Sequence, residues 1–269
     1  MYDLNKINDF LETKSIARTI IQYDALNSTY AKAKNIFETC PDGAVVLSED
    51  QSKWNVRMGK EWICYPEKNI YLSIILKSMA NNQLISKFDV IGCVSVCEAI
   101  NKLYGIDCKI KWPNDIIIRN KKISSISSSI VSKNNKPTGA IISLGINSNM
   151  TKSELECMEE ISEFSTSLLA ETCREVDREA LISEIANNVE KFYNELIVNN
   201  EISEAVKFYN SNSIVMNKDI VIMKKGKKSK RKVYATSIDT EGWLIVKNEK
   251  GNEEILAPGE IIITYEKNA

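Results

Sequence analysis

Two hydrophobic periods divide this chain. From 178 to 198, Leu181, Ile182, Ile185, Ala186, Val189, Phe192 and Leu196 recur at helical spacing and predict a long amphipathic helix. A second helix is predicted over 84–104, with Ile85, Phe88, Ile91, Cys93 and Val96 inside and Gly105 as its stop. Asn27-Ser28-Thr29 caps a third, running to about Phe37, and residues 4–13 predict a short one. Strands are expected over 17–23, 43–47, 70–76, 109–112, 115–119, 122–131 and 138–147, with 48–60 a polar loop and 134–137 a turn. Helices take much of 151–209. After Asn210-Ser211-Asn212-Ser213 the pattern changes to short strands, with turns at Lys225-Gly226, Glu241-Gly242, Lys250-Gly251 and Pro258-Gly259. The fold class is therefore α+β: a mixed β-sheet backed by helices over 1–212, then a small β-barrel domain over 213–269.

Composition narrows the chemistry. The 269 residues carry a net charge of −1, so overall charge gives no support to a nucleic-acid partner. No stretch of about 18 apolar residues exists, and Met1-Tyr2-Asp3-Leu4 lacks the order of a signal peptide. A cytoplasmic protein with no membrane partner is expected. The seven cysteines are irregularly spaced and none pair as Cys-x-x-Cys, which argues against a disulfide framework or a zinc site. There is no histidine, which excludes Ser-His-Asp and Cys-His triads and histidine-ligated metals. Chemistry here must rest on positioning, on Lys and Arg, or on a carboxylate, as phosphoryl-type reactions do.

Lys111-Trp112-Pro113-Asn114-Asp115 stands between two short apolar strands. Pro113 keeps Trp112 extended and the segment turns sharply. A lysine there is either a solvated strand residue or a fixed cation that faces an anion. These five residues resemble the signature of the biotin protein ligases, and the similarity runs from about residue 17 to residue 264. Asn27-Ser28-Thr29 stands where that family has Ser-Thr-Asn before its first helix; the hydroxyls suit the ureido head of biotin, and they serve equally as a helix cap. Gln51, Arg57, Gly59, Lys60 and Trp62 match the next family element in register, whereas Trp54-Asn55-Val56 replaces an expected Gly-Arg-Gly. Val56 cannot take a positive φ without strain. Lys122 and Ile126 fit Lys-x-x-Gly-Ile-Leu with Ser125 in place of the glycine, leaving the serine run as a polar strand face or as an altered pocket lining. Ser143-Leu144-Gly145-Ile146-Asn147 fits Gly-x-Gly-x-Asn with Ser143 in place of the first glycine.

The resemblance implies a class II synthetase-like, biotin–lipoate ligase-like catalytic domain that uses ATP and magnesium, with no metal held directly by protein ligands. It implies Lys111 and Arg57 as catalytic residues. Biotin would be bound by Asn27, Ser28, Thr29, Gln51, Asn55, Val56, Arg57, Lys111 and Ser143, and ATP by Arg57, Trp62, Lys111 and Asn147. The implied partners are biotin and the biotin carboxyl carrier domain of a carboxylase; monomer and homodimer both stay open. A catalytic domain starting near residue 17 leaves no room for the helix-turn-helix of repressor-type relatives. The altered glycines keep two alternatives: a binding protein without turnover, and a ligase for lipoate or another acyl group. The basic run 224–232 reads as a solvated hairpin tip or as a steering surface for an acidic partner.

Overall fold

In a computed structural model of the chain, residues 1–52, 65–77, 85–157, 163–227 and 229–264 are described. The strands are β1 Ile20–Leu26, β2 Val45–Gln51, β3 Ile70–Leu76, β4 Lys109–Lys111, β5 Asp115–Ile118, β6 Lys121–Lys133 and β7 Lys136–Ile146. They form one sheet in the order β1-β2-β3-β7-β6-β5-β4, parallel at β1/β2 and antiparallel elsewhere, so the sheet is mixed as expected.

Register decides what each face carries, because directly opposed residues share a face and neighbours along a strand alternate. On one face Leu47, Leu72, Leu144 and Ile126 lie abreast. This face packs against α3 (Ile85–Tyr104), which in turn packs on α6 (Arg178–Asn199). Gly92 of α3 lets the helix come close: a Cβ there would lie 2.7 Å from Ile126 Cγ2. The other face is divided. At one end Val46, Ile75 and Ile141 are covered by Ala33 and Phe37 around α2 (Thr29–Ile36). At the other end it carries polar groups. Tyr23, Ser48, Tyr71, Gly145, Ser125, Asp115 and Lys111 form a single row of partners across all seven strands.

Two expectations are corrected. β2 does not give way to a loop at Ser48 but continues to Gln51, because Tyr23, Ala25 and Leu26 of β1 pair with Ser48, Asp50 and Gln51. The backbone ladder outweighs the polar composition of 48–51. The second correction concerns the C-terminal barrel. After α4 (Lys152–Glu156), α5 (Leu168–Thr172), α6 and α7 (Ser203–Asn212), strands β8 Lys218–Lys224, β9 Lys230–Ile238, β10 Leu244–Lys247, β11 Glu253–Leu256 and β12 Ile261–Thr264 build an antiparallel sheet ordered β11-β10-β9-β8-β12. β11 and β12 are its two edges and do not pair among the described residues, so the sheet is open rather than a closed barrel. Closure needs strands long enough to tilt and stagger around a ring, and three of these have four residues. No helix among the described residues is long and apolar enough to cross a membrane.

Candidate active site

The polar end of the sheet gathers most of the site residues that can be located. Ser28 caps α2, accepting from the Ala31 N–H at 3.3 Å. That places Thr29, fully buried, in the first turn over the sheet. The Thr29 N–H donates to Gln51 Oε1 at 2.7 Å. Ser73 Oγ donates to Thr29 Oγ1 at 3.0 Å and lies 2.8 Å from Ser143 Oγ. Asn27 is exposed at the rim, where its Oδ1 accepts from Ser52 Oγ at 3.0 Å. Gln51, Thr29, Ser73 and Ser143 thus form one continuous buried chain of polar groups, and Asn27 and Ser28 border it. The cap and the site reading of Ser28-Thr29 are compatible: the Ser28 hydroxyl caps, while Thr29 joins the buried chain.

Lys111 lies on the same face, on edge strand β4, and is half-buried. Its frame is tied down on every side. Trp112 Nε1 donates to the Gly242 carbonyl at 3.3 Å, Tyr209 Oη donates to the Pro113 carbonyl at 3.0 Å, and Asn114 Nδ2 donates to the Ile126 carbonyl. The Trp112–Pro113 peptide is cis. Burial pushes the Tyr209 phenol well above its ordinary value, so it stays a neutral donor. Opposite Lys111, Asp115 Oδ1 accepts from Ser125 Oγ at 3.0 Å and from Lys122 Nζ at 2.8 Å. The Ser125 hydroxyl is therefore bound to Asp115. Ser124 and Ser128 point to the other face, where their hydroxyls have no partner among the described residues. The serine run is in the main a feature of the sheet, with Ser127 opposite Ser143 on the polar face.

Asn147 follows β7 and is buried. Its Nδ2 donates to the Thr166 carbonyl at 3.0 Å, and its Oδ1 accepts from Asn69 Nδ2 at 3.3 Å. The same Asn69 amide reaches the Tyr71 hydroxyl at 3.1 Å, in the row beside Gly145. Among the described residues no group of three His, Cys, Asp or Glu side chains could hold a metal ion. Asn55, Val56, Arg57 and Trp62 lie outside the described residues. Ser73, Tyr71 and Asn69 are additional polar members that sequence reasoning missed. All three sit in or beside an apolar strand, and only the alternation Tyr71, Ser73 within 70–76 hinted at a polar face.

Comparisons with known proteins bear on the fold. The profile of the Biotin/lipoate A/B protein ligase family matches residues 23–147, from β1 to the end of β7. The chain is 28% identical over 184 residues to the bifunctional ligase/repressor BirA of Bacillus subtilis, an alignment covering 68% of this chain and 56% of that protein. The chain thus spans about half the length of the curated relatives it matches. Among solved structures, biotin protein ligase from Aquifex aeolicus in complex with biotin and ATP superposes with a TM-score of 0.78 at 20% identity, covering 93% of this chain and 100% of that one. A biotin acetyl coenzyme A carboxylase synthetase from Helicobacter pylori, with bound biotinylated ATP, superposes with a TM-score of 0.58 at 14% identity, covering 88% and 99%. At these identities the structures establish the fold, and residues 23–147 of this chain match the model of the biotin/lipoate A/B protein ligase family.

Proposed function

We propose that the chain is an ATP-dependent biotin–protein ligase that forms biotinyl-5′-AMP and transfers biotin to one lysine of a carboxylase carrier domain. The observation that carries this reading is the placement, on one sheet face, of a fixed lysine and a buried chain of hydroxyl and amide groups. The chain suits the polar head of a bound acid; Lys111 suits its carboxylate. In the first step a carboxylate oxygen attacks the α-phosphorus of magnesium-chelated ATP and pyrophosphate leaves. Both reacting groups are anionic, so a cation between them lowers the barrier by neutralising charge. Lys111 supplies that charge, and Arg57 a second one. In the next step the acceptor amine attacks the carbonyl carbon of the mixed anhydride, the C–O bond breaks, and AMP leaves. No enzyme nucleophile is required, in keeping with a sequence that has no histidine. In this reading the compartment is the cytoplasm, which supplies ATP.

Incubation of the purified protein with ATP, magnesium, biotin and a biotin carboxyl carrier domain tests it. Intact-mass spectrometry is expected to show one biotinyl group on one carrier lysine, dependent on ATP. Transfer of lipoyl or octanoyl instead would change the acyl substrate. Binding of biotin with neither pyrophosphate release nor transfer would establish a binding protein.

A further inference from the structure

We infer that Ser143, held by Ser73, is a specificity-determining residue: it offers the bound acid a hydrogen-bond acceptor and selects a head group that carries an N–H beside a carbonyl. This rests on the ligase reading above and names a contact for a residue that stands in place of a glycine. A hydroxyl has one proton to give. Ser73 gives its proton to Thr29 Oγ1 at 3.0 Å, so the 2.8 Å contact between Ser73 and Ser143 must use the proton of Ser143. The Ser143 oxygen then presents only lone pairs to anything lying on the face. At the other end of the chain the sense is reversed. Thr29 accepts from Ser73 and keeps its own proton to donate. Gln51 Oε1 accepts from the Thr29 N–H at 2.7 Å, which leaves Nε2 as a donor. That nitrogen is buried and has no partner among the described residues.

The array is therefore polar in a fixed direction, with donors at Thr29 and Gln51 and an acceptor at Ser143. A cyclic urea, lactam or other amide head matches it, its carbonyl toward the donors and its N–H toward Ser143. A dithiolane ring or an alkyl chain would leave the buried donors and the acceptor without partners, which is costly. The hydroxyl at position 143 thus favours biotin over lipoate or octanoate by adding a contact that neither of the latter can make.

Isothermal titration of the full-length protein with biotin, with biotin methylated on a ureido nitrogen, with lipoate and with octanoate tests this. Wild type is expected to favour biotin, and Ser143→Ala to bind it about tenfold more weakly while binding octanoate unchanged. Ser73→Ala keeps the Ser143 hydroxyl but releases its proton, and is expected to narrow the gap between biotin and its N-methyl derivative. Near-UV circular dichroism shows whether each variant keeps the native fold. Biotin binding unchanged in Ser143→Ala would overturn the assignment and leave the ligase reading standing. Wild-type protein that binds none of these acids, with or without ATP, would overturn both.

Discussion

Glu190 shows how one buried carboxylate fixes the approach to the sheet. Its oxygens accept from the N–H groups of Lys14 at 2.7 Å, Ser15 at 2.7 Å and Ile16 at 3.1 Å, and from the Ser15 hydroxyl at 2.9 Å. Burial pushes the carboxyl up, but the donated N–H groups of Ser15, Lys14 and Ile16 outweigh it and hold the group below the usual carboxylate range. A depressed carboxyl stabilises the fold above its unfolded pKa, about 4.3 for Glu, and that contribution is lost as pH falls through the folded value. Glu190→Gln is therefore expected to cost about 2 kcal/mol at pH 7. Urea unfolding should show the gap to wild type closing below about pH 4. At this scale the sequence was informative where local chemistry is strong. Ser28 announced the helix cap that it forms, and Lys111-Trp112-Pro113-Asn114-Asp115 announced the sharp turn between β4 and β5, although Trp112 belongs to that turn and not to the strand. Ser73 was silent because its role depends on which strand β3 pairs with, and register is set by tertiary packing.

The elements answer to period and close approach. The helix over Ile85–Tyr104 buries Phe88, Ile91, Cys93 and Val96 as predicted, whereas Ile85, at its first position, is exposed; the four predicted glycine turns at Gly226, Gly242, Gly251 and Gly259 all adopt positive φ. Strand ends were less legible: β1 and β2 run on to Leu26 and Gln51 because each satisfies the backbone of the other, a gain that composition does not display. Gly92 gives an element-scale test. Alanine would gain about 1 kcal/mol in helix propensity. Its Cβ would meet Ile126 Cγ2 at 2.7 Å and Ile142 Cγ2 at 3.1 Å, inside a packed helix–sheet interface. Overpacking of this kind costs about 1–3 kcal/mol, so the net effect of Gly92→Ala is expected to be a loss of stability. A lowered urea midpoint with an unchanged m-value would register it; a raised midpoint would mean that the helix sits farther from the sheet.

Across the whole molecule, the two sheets share one hydrophobic core. Val215, Ile220, Val233, Ile238, Leu244 and Val246 join the cluster that holds Trp112, Ile116, Phe88 and Ile126. The second sheet also reaches the candidate site directly, through the Gly242 carbonyl that accepts from Trp112 Nε1. Trp112→Phe leaves that carbonyl without its donor and is expected to cost about 1–2 kcal/mol. Because the core is continuous, unfolding in urea is expected as a single transition by circular dichroism and by Trp fluorescence. Two separated transitions would show that residues 213–269 unfold on their own. The switch from helices to short strands after Asn212 was legible from its turns and spacing. The open sheet was not, because barrel closure depends on how the edge strands meet rather than on how each strand reads. The central claim is that Lys111 activates an acid seated on this face. It is tested most directly by incubating wild type and Lys111→Ala with ATP, magnesium and biotin, and measuring biotinyl-5′-AMP by mass spectrometry. The account predicts an adenylate from wild type and a loss of about 100-fold or more in Lys111→Ala. An equal yield from both folded proteins would contradict it, as would no adenylate from wild type.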